Sequence, residues 1–139
     1  MTTVACDRDL EEMAADSRLT DGDTNANARK LWKVNGHLIG VAGDYPAAVA
    51  FVNWYKSKTK PNVPDMKNLN VMVLTPTGKI LHYDHSLHPY EVTDNFSAIG
   101  SGAQAALGAM HAGARPRDAV RIASKIDRNT GGRIHVRKL

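Results

Sequence analysis

At 139 residues, with 42% apolar and 23% charged residues, the chain is long enough to bury one core and has the composition of a folded globular protein, read as a single domain over 1–139. No apolar run reaches the ~20 residues of a membrane-spanning helix, and the N-terminus lacks the charged and apolar regions of a secretory signal, which points to the cytoplasm. The single cysteine, Cys6, excludes a disulfide framework and a multi-cysteine zinc site, and the net charge of +4 is spread over loose clusters, 56–60 and 133–138, that read as solvated faces rather than a nucleic-acid surface.

Residues 3–7 (TVACD) alternate as a strand, Asp7-Arg8-Asp9 is a turn, and 10–17 (LEEMAADS) complete a hairpin. Turn formers fill 20–27 (TDGDTNAN), which predicts a loop. Leu31–Val34 and 37–42 flank Asn35-Gly36, whose residues adopt positive φ readily, so a tight hairpin is expected. Asp44 suits an N-cap and Pro46 a first helical turn, giving a helix over about 45–55. A polar linker with two prolines, 56–68, leads to a strand at 70–74, a turn at 75–78 and a partner strand at 79–83. Ala103, Ala106, Leu107 and Met110 share one helical face. Pro116 opens a second helix with Ala119, Ile122, Ala123 and Ile126 facing inward, ended by Gly131-Gly132. Ile134 and Val136 alternate in a closing strand. Antiparallel hairpins separated by paired helices predict an α+β layered sandwich.

The start, MTTVACD, raises a chemical question. A threonine at the N-terminus is a nucleophile and a base in one residue. Its hydroxyl attacks a carbonyl while its α-amine, with an ordinary pKa of about 7.7–8.0, takes the proton. A nearby lysine favours the neutral amine by like-charge repulsion, and a carboxylate holds that lysine in place. The chain offers such groups in fitting contexts. Asp16 lies in AADSR, Lys30 in ARKLWKV, and Gly43 in HLIGVAGD, where a strand meets a helix N-terminus and an N–H can face an oxyanion. Ser101 lies in AIGSG, and Asp127 and Thr130 in DRNTGG.

Together and in this order, TTVA, AADSR, ARKLWKV with HLIGVAGD, AIGSG and DxxTGG resemble the proteasome β-subunit family, including the HslV peptidases, within the N-terminal nucleophile hydrolases. The resemblance spans nearly the whole chain. It implies a four-layer αββα sandwich of two antiparallel sheets, with Thr2 as nucleophile and base once Met1 is removed. It also implies that Lys30 tunes the amine, Asp16 orients Lys30, Gly43 donates to the oxyanion, and Ser101, Asp127 and Thr130 form the polar set around the amine. Leu19, Ala28, Val41 and Tyr45 fall where the family lines its specificity pocket, so a neutral or apolar residue is expected before the cut bond. The implied activity is a cofactor-free and metal-free threonine peptidase. It acts on peptides or unfolded proteins inside a homo-oligomeric ring, with an AAA+ unfoldase as possible partner.

Two features depart from that pattern. The chain is shorter than typical members, with a linker after the first helix where the family has a second long helix. Asp44 also puts an acid after Gly43. The short chain favours an alternative: a non-catalytic assembly or regulatory protein, of the kind a virus could encode, that keeps Met1. Elsewhere, His82, His85 and His88 with Asp84 have a spacing that suggests zinc, but Pro89 and the strand-to-loop context favour a solvated connection. Cys6, in mid-strand with no histidine nearby, reads as inert, and Phe51, Trp32 and Trp54 as core or interface residues.

Overall fold

The computed structural model describes residues 2–57 and 62–139. Met1, on whose removal the peptidase reading depends, and most of the basic 56–60 cluster lie outside the described residues. The alternating apolar residues of the first segment form β1 (Thr3–Asp7), which turns back into β2 (Glu12–Ala15). The tight turn at Asn35 and Gly36, with φ of 51° and 79°, joins β5 (Leu31–Val34) to β6 (His37–Gly43). Helix α1 (Tyr45–Lys56) follows, with Asp44 at its N-cap position but no capping bond from the Asp44 side chain. Next come β7 (Leu69–Leu74), β8 (Ile80–Asp84), β9 (Tyr90–Val92) and β10 (Phe96–Gly100). Helices α2 (Ala103–His111) and α3 (Pro116–Ile126) then lead to β11 (His135–Lys138). No helix among the described residues is long and apolar enough to cross a membrane.

Several details differ from the sequence expectation. The 20–27 segment is not a plain loop: β3 (Arg18–Asp21) and β4 (Thr24–Asn27) pair around Gly22, which has φ of 59°. Every residue of β4 is exposed, so no apolar alternation marks it. The strands β9 and β10 were not foreseen. In α3 the buried face is Ala119, Val120 and Ala123, while Ile126 is 71% exposed. The helix stops at Asp127, ahead of the Gly131-Gly132 pair.

Two antiparallel sheets form the centre, in strand orders β10-β1-β2-β11 and β5-β6-β7-β8-β9. Three apolar layers show how they stack. Val4, Cys6, Met13, Leu38, Met72, Leu74 and Ile80 fill the space between the sheets. Val41, Ala48, Phe51, Val52 and Val71 join α1 to the five-stranded sheet. Ala5, Ala14, Ala106, Met110, Ala119 and Ala123 join α2 and α3 to the other. The result is the αββα sandwich expected from the sequence. Burial raises the Cys6 thiol pKa, which keeps that group protonated and inert. Phe51 is fully buried, with Trp32 and Trp54 packed against the same layer.

The sheets pack tightly at Gly40, where an added Cβ would clash with Val4 Cγ1 and lie 3.0 Å from Met13 Sδ. Gly40→Ala should therefore lower stability by about 1–3 kcal/mol through overpacking, read as a fall in the urea midpoint. An unchanged midpoint would show that the sheets separate freely.

Candidate active site

The strand register explains why distant residues meet. Thr3 pairs with Gly100, and Val4 with Ala15. Thr2 thus lies between the end of β10 and the end of β2, where Asp16 begins. The pairing of His135 with Ala15 brings the segment before β11, with Thr130 and Gly131, to the same edge. In the facing sheet, Lys30 precedes β5, Gly43 ends β6, and the Val41 N–H donates to the Lys30 carbonyl.

Asp16 is fully buried and accepts four hydrogen bonds from three groups. Lys30 Nζ lies 3.1 and 3.2 Å from its two oxygens, the Thr3 N–H donates to Oδ1 at 3.1 Å, and the Gly131 N–H to Oδ2 at 3.0 Å. Lys30 is also buried. Burial pushes its pKa below the ordinary 10.5, the charge and hydrogen bonds of Asp16 act in the opposite direction, and Arg18 adds to the lowering. The ammonium is held in a defined place, at a protonation free energy closer to neutrality than a surface lysine has.

A chain of hydroxyls separates the roles of the two threonines. Thr130 Oγ1 donates to Asp127 Oδ2 at 2.7 Å. Its one proton is thereby engaged, so across the 2.7 Å contact with Thr3 Oγ1 it is Thr3 that donates. The Thr3 hydroxyl is fully buried and occupied. Ser101 also donates to Asp127 Oδ2, and its Oγ lies 3.4 Å from the Thr2 carbonyl oxygen. Partial burial acts to raise the Asp127 pKa, but the hydrogen bonds from Ser101, Thr130 and the Asn129 N–H outweigh it and hold the carboxyl below its ordinary 3.8. The glycines of AIGSG are sterically required. A Cβ on Gly100, where φ is 99°, would fall 2.0 Å from the Thr2 carbonyl oxygen, and one on Gly102 would fall 2.0 Å from Thr3 Oγ1.

Thr2 is itself buried, at 4% exposure, but unlike Thr3 it lines two cavities. It lines a cleft of about 590 Å³ with Ala42, Gly43, Asp44, Asn70 and Ser101. It also lines a small cavity of about 20 Å³ with Lys30, Leu19, Val41 and Tyr45. The structure therefore brings Thr2, Lys30 and Gly43 to one cavity wall. Asp16 stands behind Lys30, and Ser101, Asp127 and Thr130 form one hydrogen-bonded group beside Thr2 and Thr3. Ala28 lines neither cavity; its N–H donates to the Ser17 carbonyl.

Reading the sequence missed Arg18 and Ala48 in the small cavity and Asn68, Asn70 and His85 in the cleft. No local motif marks these residues: Arg18, Asn68, Asn70 and His85 sit at or beside strand ends that only the sheet register aligns, and Ala48 lies on the buried face of α1. The histidine stretch does not gather: both ring nitrogens of His82 are engaged, by Ser97 and Tyr90. Among the described residues no three His, Cys, Asp or Glu side chains are placed to hold a metal ion.

No family model matches the sequence, and no curated protein sequence matches it. Solved structures do match. Thiobacillus denitrificans BPH in complex with epoxomicin superposes with a TM-score of 0.79 at 20% identity, over 99% of both chains. Without that compound, the same protein gives 0.78 at 19% identity, over 99% of this chain and 98% of that one. Eukaryotic HslV from Trypanosoma brucei gives 0.75 at 21% identity, over 98% of each chain. The chain thus shares the layered αββα fold of the BPH and HslV structures.

Removing the Asp16 carboxylate should strand a buried ammonium and two backbone N–H groups. Asp16→Ala is expected to cost about 3–5 kcal/mol in chemical denaturation; a loss under about 1 kcal/mol would mean that the pair is dispensable to the fold. Asp127 gives a pH signature. Because its folded pKa is depressed, the unfolded carboxyl binds more protons between that value and 3.8, and stability rises with pH across this window. The advantage of wild type over Asp127→Asn should be complete above pH 3.8 and vanish as pH falls through the depressed value.

Proposed function

We propose that this chain is a threonine peptidase whose nucleophile is Thr2, exposed by removal of Met1. The observation that supports this most is the position of Thr2 on the wall shared by both cavities, beside Lys30 and Gly43, while the neighbouring Thr3 hydroxyl is buried and engaged. Thr2 Oγ1 attacks the peptide carbonyl and its proton passes to the α-amine. The Gly43 N–H faces the developing oxyanion. As the C–N bond breaks, the amine returns the proton to the leaving nitrogen and an ester on Thr2 remains. Water then hydrolyses the ester and frees the acyl product. Lys30, held by Asp16, keeps the amine neutral at working pH by charge repulsion, and the Ser101–Asp127–Thr130 group positions the Thr2 backbone.

The small cavity takes the side chain before the cut bond. Leu19, Val41, Tyr45 and Ala48 make it mainly apolar, and about 20 Å³ is little more than the room one water needs. Tyr45 is fixed there by donating its hydroxyl to the Arg29 carbonyl at 2.8 Å. A small neutral side chain is therefore preferred. We further propose that the protein works in the cytoplasm as a homo-oligomer that encloses its sites, with unfolded protein delivered by an AAA+ ATPase. The exposed apolar residues Ile126, Val63 and Tyr90 are available for contacts between copies. The carboxylate of Asp44 in the cleft favours a second reading, a non-catalytic assembly or regulatory protein that retains Met1.

Intact mass and an N-terminal probe separate the two. A peptidase should weigh one methionine less than the translated chain and take up one equivalent of epoxomicin, the compound that Thiobacillus denitrificans BPH binds. Thr2→Ala and Lys30→Ala should each lower turnover of a fluorogenic peptide by at least about 10³-fold. Retained Met1 with no adduct, or undiminished turnover in either variant, removes the peptidase reading. Tyr45→Ala should shift preference before the cut bond from alanine towards leucine by about tenfold, measured as the ratio of kcat/KM values.

A further inference from the structure

The reading above assigns the small cavity and leaves the larger cleft unused. The cleft shares Thr2, Ala42 and Gly43 with that cavity, and the rest of its lining is different. It crosses Asn68 and Asn70 at the start of β7, His85 beyond β8, and the Gly100-Ser101 turn before α2. A peptide held with its acyl side in the small cavity has its leaving amine here.

The cleft is built for a ligand rich in hydrogen-bond donors. Asn70 Oδ1 is buried and accepts no hydrogen bond among the described residues, and a buried acceptor left unpaired costs about 1–3 kcal/mol. The Asp44 carboxylate forms neither the helix cap its position invites nor an ion pair among the described residues. Among the described residues no lysine or arginine lines this cleft, and its one basic side chain is His85, 3.5 Å from its own acid, Asp84. The walls are set by backbone. Gly43 has φ of 115°, and a Cβ there would lie 2.2 Å from the Asn68 carbonyl oxygen, which the Asp44 N–H also meets at 2.8 Å. His85 holds φ of 53° while its N–H donates to Leu69.

We infer that this cleft is a leaving-group subsite that takes a basic side chain, arginine or lysine, in the residue immediately after the cut bond, with Asp44 and Asn70 as its acceptors. The inference rests on the peptidase reading for its place in the reaction, not for the chemistry of the cleft. Arginine presents a fork of N–H donors and no acceptor, which matches one carboxylate and one unpaired carbonyl. The acid after Gly43 then has a task in substrate choice.

Two measurements test it. The first uses peptides with alanine before the cut bond and arginine, lysine, alanine, leucine or aspartate after it. In wild type, kcat/KM for arginine should exceed that for leucine by about tenfold, with aspartate lowest. Asp44→Asn, a surface change, should remove most of that preference, and Asn70→Leu should reduce it. The second needs no catalysis: L-argininamide is titrated into 15N-labelled Thr2→Ala protein and followed at the Asn70 side-chain amide. A saturable shift that Asp44→Asn abolishes is expected. Binding without cleavage of any peptide would support the cleft and remove the peptidase reading. A flat cleavage series overturns the inference whatever the probe does and leaves the peptidase reading standing. No saturable shift together with no cleavage overturns both.

Discussion

The buried carboxylate of Asp16 is the constraint on which the site depends. One group ties together four stretches of chain: Thr3 at the start of β1, its own position after β2, Lys30 ahead of β5, and Gly131 ahead of β11. It thereby links one sheet to the other at the edge where Thr2 sits. Attraction between two buried charges is largely offset by the loss of their hydration. The value of the pair lies in geometry: Lys30 cannot turn away without leaving an uncompensated charge, and the Thr2–Thr3 backbone cannot shift without losing a donor to Asp16.

Close approach is the second requirement. The sheets meet at Gly40, and the turn from β10 into α2 passes Thr2 and Thr3 at Gly100 and Gly102, each so close that an added Cβ would force a neighbour to shift. Such packing leaves little freedom at the start of β1. It buries the Thr3 hydroxyl in a chain of donors that ends on Asp127 and leaves Thr2 facing the cavities. The two threonines are chemically alike, and their different surroundings come from their places, Thr3 as the first residue of β1 and Thr2 just ahead of it.

Much of this was legible in sequence because it is local. Asn35-Gly36 announces its hairpin through the φ angles it tolerates, and Asp44 and Pro46 announce the start of α1. The motif order TTVA, AADSR, HLIGVAGD, AIGSG, DxxTGG carried the fold. Other elements were hidden for physical reasons. The hairpin of β3 and β4 is exposed along its second strand and shows no apolar period. The buried stripe of α3 is turned towards Val120, which leaves Ile126 in solvent, because neighbouring α2 and β1 set the rotation of the helix.

By itself the sequence determined the kinds of groups available: an early threonine, a lysine, two acids, and hydroxyls beside glycines, all near strand or helix ends. It also determined the α+β pattern of hairpins and paired helices, since alternation and helical periodicity are properties of short segments, while the αββα layering was implied by the resemblance that the motif order carries. Only the tertiary structure decided which threonine has its hydroxyl engaged and which lines the cavities, that Ala28 lines neither of them, and that Asp44, Asn70 and His85 share a cleft with Thr2. Those relations depend on the register between strands far apart in the chain. Register is a global outcome of packing two sheets face to face, and no single segment encodes it.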